Sequence, residues 1–267
     1  MAVIISLFAV FLICVISDIA ASLAMLLGIN NFYGIYILKF SIIYLLSFLY
    51  VKCIDKLSIK SMGFIKKGAI KNYITGLISG SVLFFAVYLL NLTTGSFTFK
   101  GLSGNASLSI IFAFLFFAFQ AMAEEVLYRG LLQISASRKT NNVLGILLSA
   151  AFFSLAHINN PGADFMALFN IFLYGIFLSL LMFEKGNIFL VSGVHTAWNF
   201  TMGNVFGVNV SGLDLENTLF KSEIIRGKEL LSGGNFGIEG GLIFTAVISI
   251  AIAFEAMVFK KEKEIKD

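Results

Sequence analysis

Apolar residues along this chain come in long runs, not in alternation with polar ones. Eight stretches are nearly continuous: about 3–28, 33–52, 73–93, 107–135, 142–159, 164–183, 187–206 and 239–259. Each approaches the ~20 residues that a helix needs to cross a hydrocarbon core. None shows the period-two pattern of a half-buried strand. The predicted fold class is therefore all-α, a polytopic membrane helical bundle of about eight transmembrane helices. The fourth run is long enough to require tilting or projection beyond the bilayer. The first begins at Ala2 without a basic leader and continues to about Gly28, so it reads as a retained span. Asn159-Asn160-Pro161-Gly162, holding the only proline, is a strong turn signal between the fifth and sixth runs.

The breaks between runs divide the chain into three parts. Residues 1–106 carry the first three spans and a basic segment at 53–72. Residues 107–206 form a four-span core. Residues 207–267 comprise an external loop, the last span and a basic tail. Within the basic segment, Leu57, Ile59, Met62, Phe64 and Ile65 are interleaved with lysines. That mixture suits either an interfacial helix or a solvated loop. The glycine-rich stretch 207–238 reads as irregular, with one short helix around 217–231.

Composition reinforces the membrane reading: 58% of the 267 residues are hydrophobic and 13% are charged, against about 25% charged in soluble proteins. Mean hydropathy is +0.93. The net charge of +4 reports orientation here and gives no reason to expect a nucleic-acid partner. Lys52, Lys56, Lys60, Lys66, Lys67, Lys71, Arg138, Lys139, Lys185, Lys260, Lys261, Lys263 and Lys266 fall on one side of an eight-span topology. Lys100, Lys221, Arg226 and Lys228 fall on the other, a ratio of 13 to 4. Both termini are therefore predicted to be cytoplasmic. Cys14 and Cys53 have no metal or redox spacing and read as two unpaired thiols.

Ionisable groups inside such runs are costly and need a reason, with estimates from ~3 to over 10 kcal/mol each. The only two histidines, His157 and His195, lie in apolar stretches, and a third stretch holds Glu124, Glu125 and Arg129. Glu125 and Arg129 are four apart on one helix face and can pair. Glu124 is turned away by about 100° and is left as a spare carboxylate, suited to general-base work. The alternative is one structural ion network. Phe153 and His157 are four apart, which packs the ring beneath the imidazole. A core histidine bonded to a backbone carbonyl is the alternative there. His195 and Asn199 also share a face. They can donate to a developing oxyanion or hold a water, ligate a metal, or serve as interhelical glue. At 1.5 Å per residue, Glu124, His157, His195 and Asn199 lie roughly 18, 22, 12 and 18 Å from their cytoplasmic helix ends, so tilted helices can bring them together. Asp18, Lys39 and Glu255 have no assigned role, although Lys39 can snorkel to the outer interface.

Glu124-Glu125-x-x-x-Arg129, Phe153-x-x-x-His157 and His195-x-x-x-Asn199, in that order, resemble the three motifs of the CPBP intramembrane proteases. That family groups type II CAAX prenyl endopeptidases with bacterial Abi-like proteins. The likeness spans about residues 107–206, and Lys60-Ser61-Met62-Gly63-Phe64 resembles a weaker family feature. The resemblance implies a hydrolase of peptide bonds within the membrane, in which Glu124 with His157 activates water and His195 with Asn199 stabilises the oxyanion. Glu125 and Arg129 are then the structural pair, supported by Phe153.

The resemblance leaves the metal question open. No cofactor is the preferred expectation, in a glutamic mechanism. Zinc held by Glu124, His157 and His195 is the alternative. The expected partners are the bilayer and a membrane-embedded or lipid-associated peptide, and the expected location is a bacterial cell membrane. Bacteriocin immunity and peptide processing are roles the resemblance suggests. The rival from another class is a non-catalytic transporter or peptide-binding immunity protein. The sequence does not speak to oligomeric state.

Overall fold

The computed structural model describes residues 2–29, 31–104 and 107–266. The expected boundary at residue 106 lies outside them. The side chains of the tail lysines Lys260, Lys261, Lys263 and Lys266 are also outside the description.

Helices dominate, and one begins in each of the eight apolar stretches or within a few residues of it. They are α1 (Ala2–Leu26), α2 (Phe32–Leu49), α3 (Ala69–Thr93), α4 (Ser109–Glu125), α5 (Ile134–Lys139), α6 (Asn142–Leu155), α7 (Phe165–Lys185), α8 (Ile188–Phe200), the short α9 (Glu229–Ser232) and α10 (Leu242–Lys266). α4 runs through a π-helical stretch, Val126–Gln133, directly into α5. That continuous rod, Ser109–Lys139, has 31 residues and corresponds to the long fourth run.

Among the described residues, five helical segments are long and apolar enough to cross a membrane: Val3–Leu26, Phe32–Ile54, Ala69–Thr93, Ser109–Lys139 and Phe165–Lys185. Asn142–Leu155 and Leu242–Val258 are apolar but shorter. α8 is also short and buried nearly all round. The other three apolar runs correspond to the shorter apolar helical stretches of α6, α8 and α10. Apolar runs mark buried and lipid-facing segments alike, whereas α6 stops at Leu155 because the turn signals behind it take over. Phe8, Ile78, Phe112 and Phe254 face outward, as lipid-exposed positions do. The chain is an integral, multi-pass membrane protein.

α8 is the axis of the bundle, packed against α3, α4 and α7. Small residues allow the closest of these approaches. A Cβ on Gly76 or Gly80 of α3 would come within 2.1 Å of Leu190 O or 2.3 Å of Val194 O, and one on Gly193 within 2.3 Å of Tyr73 O. This is the small-xxx-small contact that lets membrane helices meet backbone to backbone.

The basic segment is neither a long interfacial helix nor a free loop. It makes one 3₁₀ turn, Ile59–Met62, and inserts the fully buried Met62 against Gly130. The Ile188 amide, at the start of α8, then donates to Gly63 O at 3.0 Å. At the same end Lys139 Nζ reaches Asp55 Oδ1 (2.7 Å), Ser6 Oγ (2.8 Å) and Tyr50 OH (3.4 Å). Ser135 also donates to Asp55. These contacts fasten α1 and α2 to the rod.

At the opposite end the structure adds a small sheet that periodicity did not reveal. β1 (Phe97–Leu102) pairs antiparallel with β2 (Phe220–Ile224). A strand therefore occupies part of the region expected to be helical, and the short helix is confined to Glu229–Ser232. Exposed Glu223 bridges Lys100 at 3.1 Å and Lys221 at 3.3 Å. These two lysines hold its carboxyl below the usual range.

Candidate active site

A cavity of about 590 Å³ opens among α1, α2, the rod, the end of α6 and α8. Glu124, His157, His195 and Asn199 all line it, so the structure brings the four expected site residues to one chamber.

Glu124 and Glu125 are divided as helix rotation requires. Glu125 is fully buried and accepts from Arg129 Nη1 at 3.0 Å. The guanidinium is also fully buried, donates through Nη2 to Gly175 O at 3.1 Å, and lies 4.5 Å from the centre of the Phe153 ring. Charge, carbonyl and π-face together offset the desolvation of the pair. Glu125 does more than pair with arginine, because its Oε1 also lies 2.9 Å from His195 Nδ1. A carboxylate on Nδ1 fixes the imidazole plane and directs Nε2 into the chamber, the arrangement by which acids orient catalytic histidines.

Glu124 faces the cavity. Gln120 Nε2 donates to its Oε1 at 2.6 Å. Oε2 is buried with no donor among the described residues, and His195 Nε2 stands 3.8 Å from it. That separation exceeds a direct hydrogen bond and suits a bridging molecule. The carboxylate is thus clamped on one oxygen and open on the other.

His157 lies one turn beyond α6, not within it. Its amide donates to Ser154 O, and the Asn160 amide donates to His157 O, at 2.9 and 3.1 Å. Its Nδ1 sits 2.8 Å from Phe153 O, and its ring packs edge-on to Phe153 at 5.0 Å. Both sequence readings of this histidine describe part of what is found: it is bonded to a backbone carbonyl and packed against Phe153, and it lines the cavity. Among the described residues no hydrogen bond joins it to Glu124.

Asn199 Nδ2 donates to Gln120 Oε1 at 3.1 Å. Gln120 therefore bridges Asn199 to Glu124, a role absent from the sequence reading. The available signal was its spacing, four residues before Glu124 on the same face. The unassigned Asp18 and Lys39 form an ion pair of 2.5 Å on the cavity wall, so Lys39 does not snorkel outward alone. Glu255 lies beside Glu184 and Lys185, away from the site. Glu239 is a further cavity residue that the sequence did not single out.

The proposed zinc donors can be tested against this geometry. No three His, Cys, Asp or Glu side chains among the described residues are gathered closely enough to hold a metal ion. Glu124, His157 and His195 as placed do not fit a three-ligand site, and no step is derived through one.

Residues 105–201 match the family model described as type II CAAX prenyl endopeptidase Rce1-like. Neither the search of curated proteins nor that of solved structures gives a match. The matched segment contains all three motifs and every residue of the Glu124–His195 cluster. Over residues 105–201 the chain is similar to type II CAAX prenyl endopeptidases of the Rce1-like kind.

Proposed function

We propose that the protein is an intramembrane endopeptidase that uses Glu124 as the base for an attacking water. The observation that carries this reading is the divided state of the Glu124 carboxylate. Oε1 is held by Gln120, while buried Oε2 faces His195 across 3.8 Å with no donor among the described residues. A water on Oε2 gives one proton to Glu124 and attacks the substrate carbonyl carbon through its oxygen. Asn199 keeps one amide N–H beyond the bond to Gln120, and this donates to the oxyanion. His195 can donate from Nε2 as well when its ring carries both protons, with Glu125 accepting from Nδ1. As the C–N bond breaks, the proton on Glu124 passes to the leaving amine. His157 presents Nε2 to the same chamber and relays or stabilises that proton.

The substrate in this reading is a membrane-embedded or lipid-associated peptide, because the chamber lies within an apolar bundle. The eight-span arrangement with both termini cytoplasmic belongs to the same proposal, as does a place in a bacterial cell membrane. Peptide processing and bacteriocin immunity are the processes it fits. The test is cleavage in membranes carrying Glu124→Gln or His157→Ala protein. Both variants should accumulate normally and lose activity, by about 10²–10⁴-fold for a general base. Full activity in both would leave the transporter or peptide-binding reading in its place. Chelation should leave the rate unchanged, whereas stoichiometric zinc together with loss of activity on chelation would replace the glutamate-only mechanism.

A further inference from the structure

Glu239 is the one buried carboxylate of the cavity wall that the proposed chemistry leaves unused. It sits in a 3₁₀ turn, Ile238–Gly240, just before α10, and is 2% exposed. No lysine or arginine pairs with it among the described residues. Its charge is met by neutral donors instead. Trp198 Nε1 donates to Oε1 at 2.8 Å, and the amide and hydroxyl of Ser211 donate to Oε2 at 2.9 and 2.7 Å. An unpaired carboxylate in such a place is expensive, and a leucine would fill the space without that cost.

The three donors explain what the expense achieves. Trp198 immediately precedes Asn199 on α8 and is clamped on its other faces by Phe84, Tyr174 and Phe244. Ser211 belongs to the loop after α8, and its carbonyl accepts from Asn160 Nδ2 at 2.9 Å. Asn160 closes the turn that begins at His157. The same loop is pressed onto that turn at Gly212, whose φ is +88° and where a Cβ would meet Pro161 O at 2.0 Å. The Glu239 carbonyl also accepts from Asn170 of α7 at 2.7 Å. One side chain thus connects the helix bearing His195 and Asn199 with the turn bearing His157. Those two pieces have no direct hydrogen bond to each other among the described residues.

We propose that Glu239 is a positioning residue of the site: through Trp198 and Ser211 it sets the register between Asn199 on α8 and His157 beyond α6. This rests on the endopeptidase reading, and it extends the functional machinery beyond residues 105–201. A buried network of this kind is either complete or worse than an apolar core, so removing one charge should be felt at both ends.

Trp198 is the only tryptophan in the chain, so its fluorescence reports this contact directly. Excitation moves electron density from the pyrrole to the benzo ring of indole. A carboxylate on the pyrrole N–H therefore lowers the emission energy, and Glu239→Gln should shift emission to the blue. The experiment compares wild-type, Glu239→Gln, Trp198→Phe, the double variant and Glu124→Gln protein, purified in detergent for emission and in isolated membranes for cleavage. It reads emission, protein level and the rate of forming Glu124-dependent cleavage products. The expected result is a blue shift in Glu239→Gln and a rate loss of about 10- to 100-fold in Glu239→Gln and in Trp198→Phe, as small misplacements of catalytic groups produce. The double variant should be no slower than the slower single one. The proposal is overturned if Glu239→Gln shifts the emission yet cleaves at the wild-type rate while Glu124→Gln is inactive. It is equally overturned if the two single losses multiply in the double variant. Cleavage by Glu124→Gln itself would instead remove the endopeptidase reading on which this one rests.

Discussion

At the scale of the residue, two adjacent glutamates do different work because a helix turns by about 100° between them. Glu125 is committed to Arg129 and His195, and Glu124 keeps one oxygen for the cavity. Removing Arg129 should leave a buried uncompensated carboxylate. Arg129→Ala is therefore expected to destabilise the protein by about 3–5 kcal/mol, read as a lower Tm in detergent. Asn199→Ala should lower kcat by about 10²–10³-fold, the usual effect of losing one oxyanion donor, with protein level unchanged. Gln120→Ala should fall between wild type and Asn199→Ala, because it loosens Glu124 and Asn199 without removing either. The pairing of Glu125 with Arg129 was legible as a helical i,i+4 relation, and the edge-on contact of His157 with Phe153 was legible from the same spacing, although His157 lies in the turn beyond α6. Gln120–Asn199, His195–Glu125 and Trp198–Glu239 were not. Each depends on which faces of two separate helices meet, and one chain read alone carries no record of that.

At the scale of the element, helices could be read from the apolar runs, but their ends could not. α6 stops at Leu155 because the Asn159–Gly162 turn captures the chain, and this puts His157 at a helix end on the cavity wall. The strands β1 and β2 were hidden because they are short, and the alternation Phe97-Thr98-Phe99-Lys100 in β1 lasts only four residues before Gly101. The α3–α8 contact was also out of reach, since Gly76, Gly80 and Gly193 look like ordinary membrane-helix glycines until their neighbours are known. Its close approach makes a strong demand. Gly193→Val should separate the helices, cost at least about 1–3 kcal/mol as overpacking does, and abolish activity together with thermal stability. The Lys100–Glu223 bridge behaves differently, being exposed and titratable. The folded-state value of Glu223 lies below its unfolded one. Its contribution is therefore present above the unfolded value and lost as pH falls through the folded one. Amide protection in β1 and β2 should weaken only in that acid window, and Glu223→Gln should remove the dependence.

At the scale of the whole molecule, a short buried α8 is surrounded by longer helices that face lipid, and the reactive groups lie where α4, α8 and the end of α6 converge. Hydropathy conveyed the class of molecule, but it could not separate a helix that crosses a bilayer from one enclosed by protein. If both termini are cytoplasmic, a cysteine placed at Lys60 should be labelled from the cytoplasmic side and one at Glu216 from the other. The reverse pattern would invert the topology. The central claim is that Glu124 drives peptide-bond hydrolysis in this chamber. Its most direct test is mass spectrometry of newly formed peptide termini in membranes of cells producing equal amounts of wild-type or Glu124→Gln protein. The result expected is a set of termini present with the wild type and absent with the variant. Identical sets in the two membranes would contradict the account.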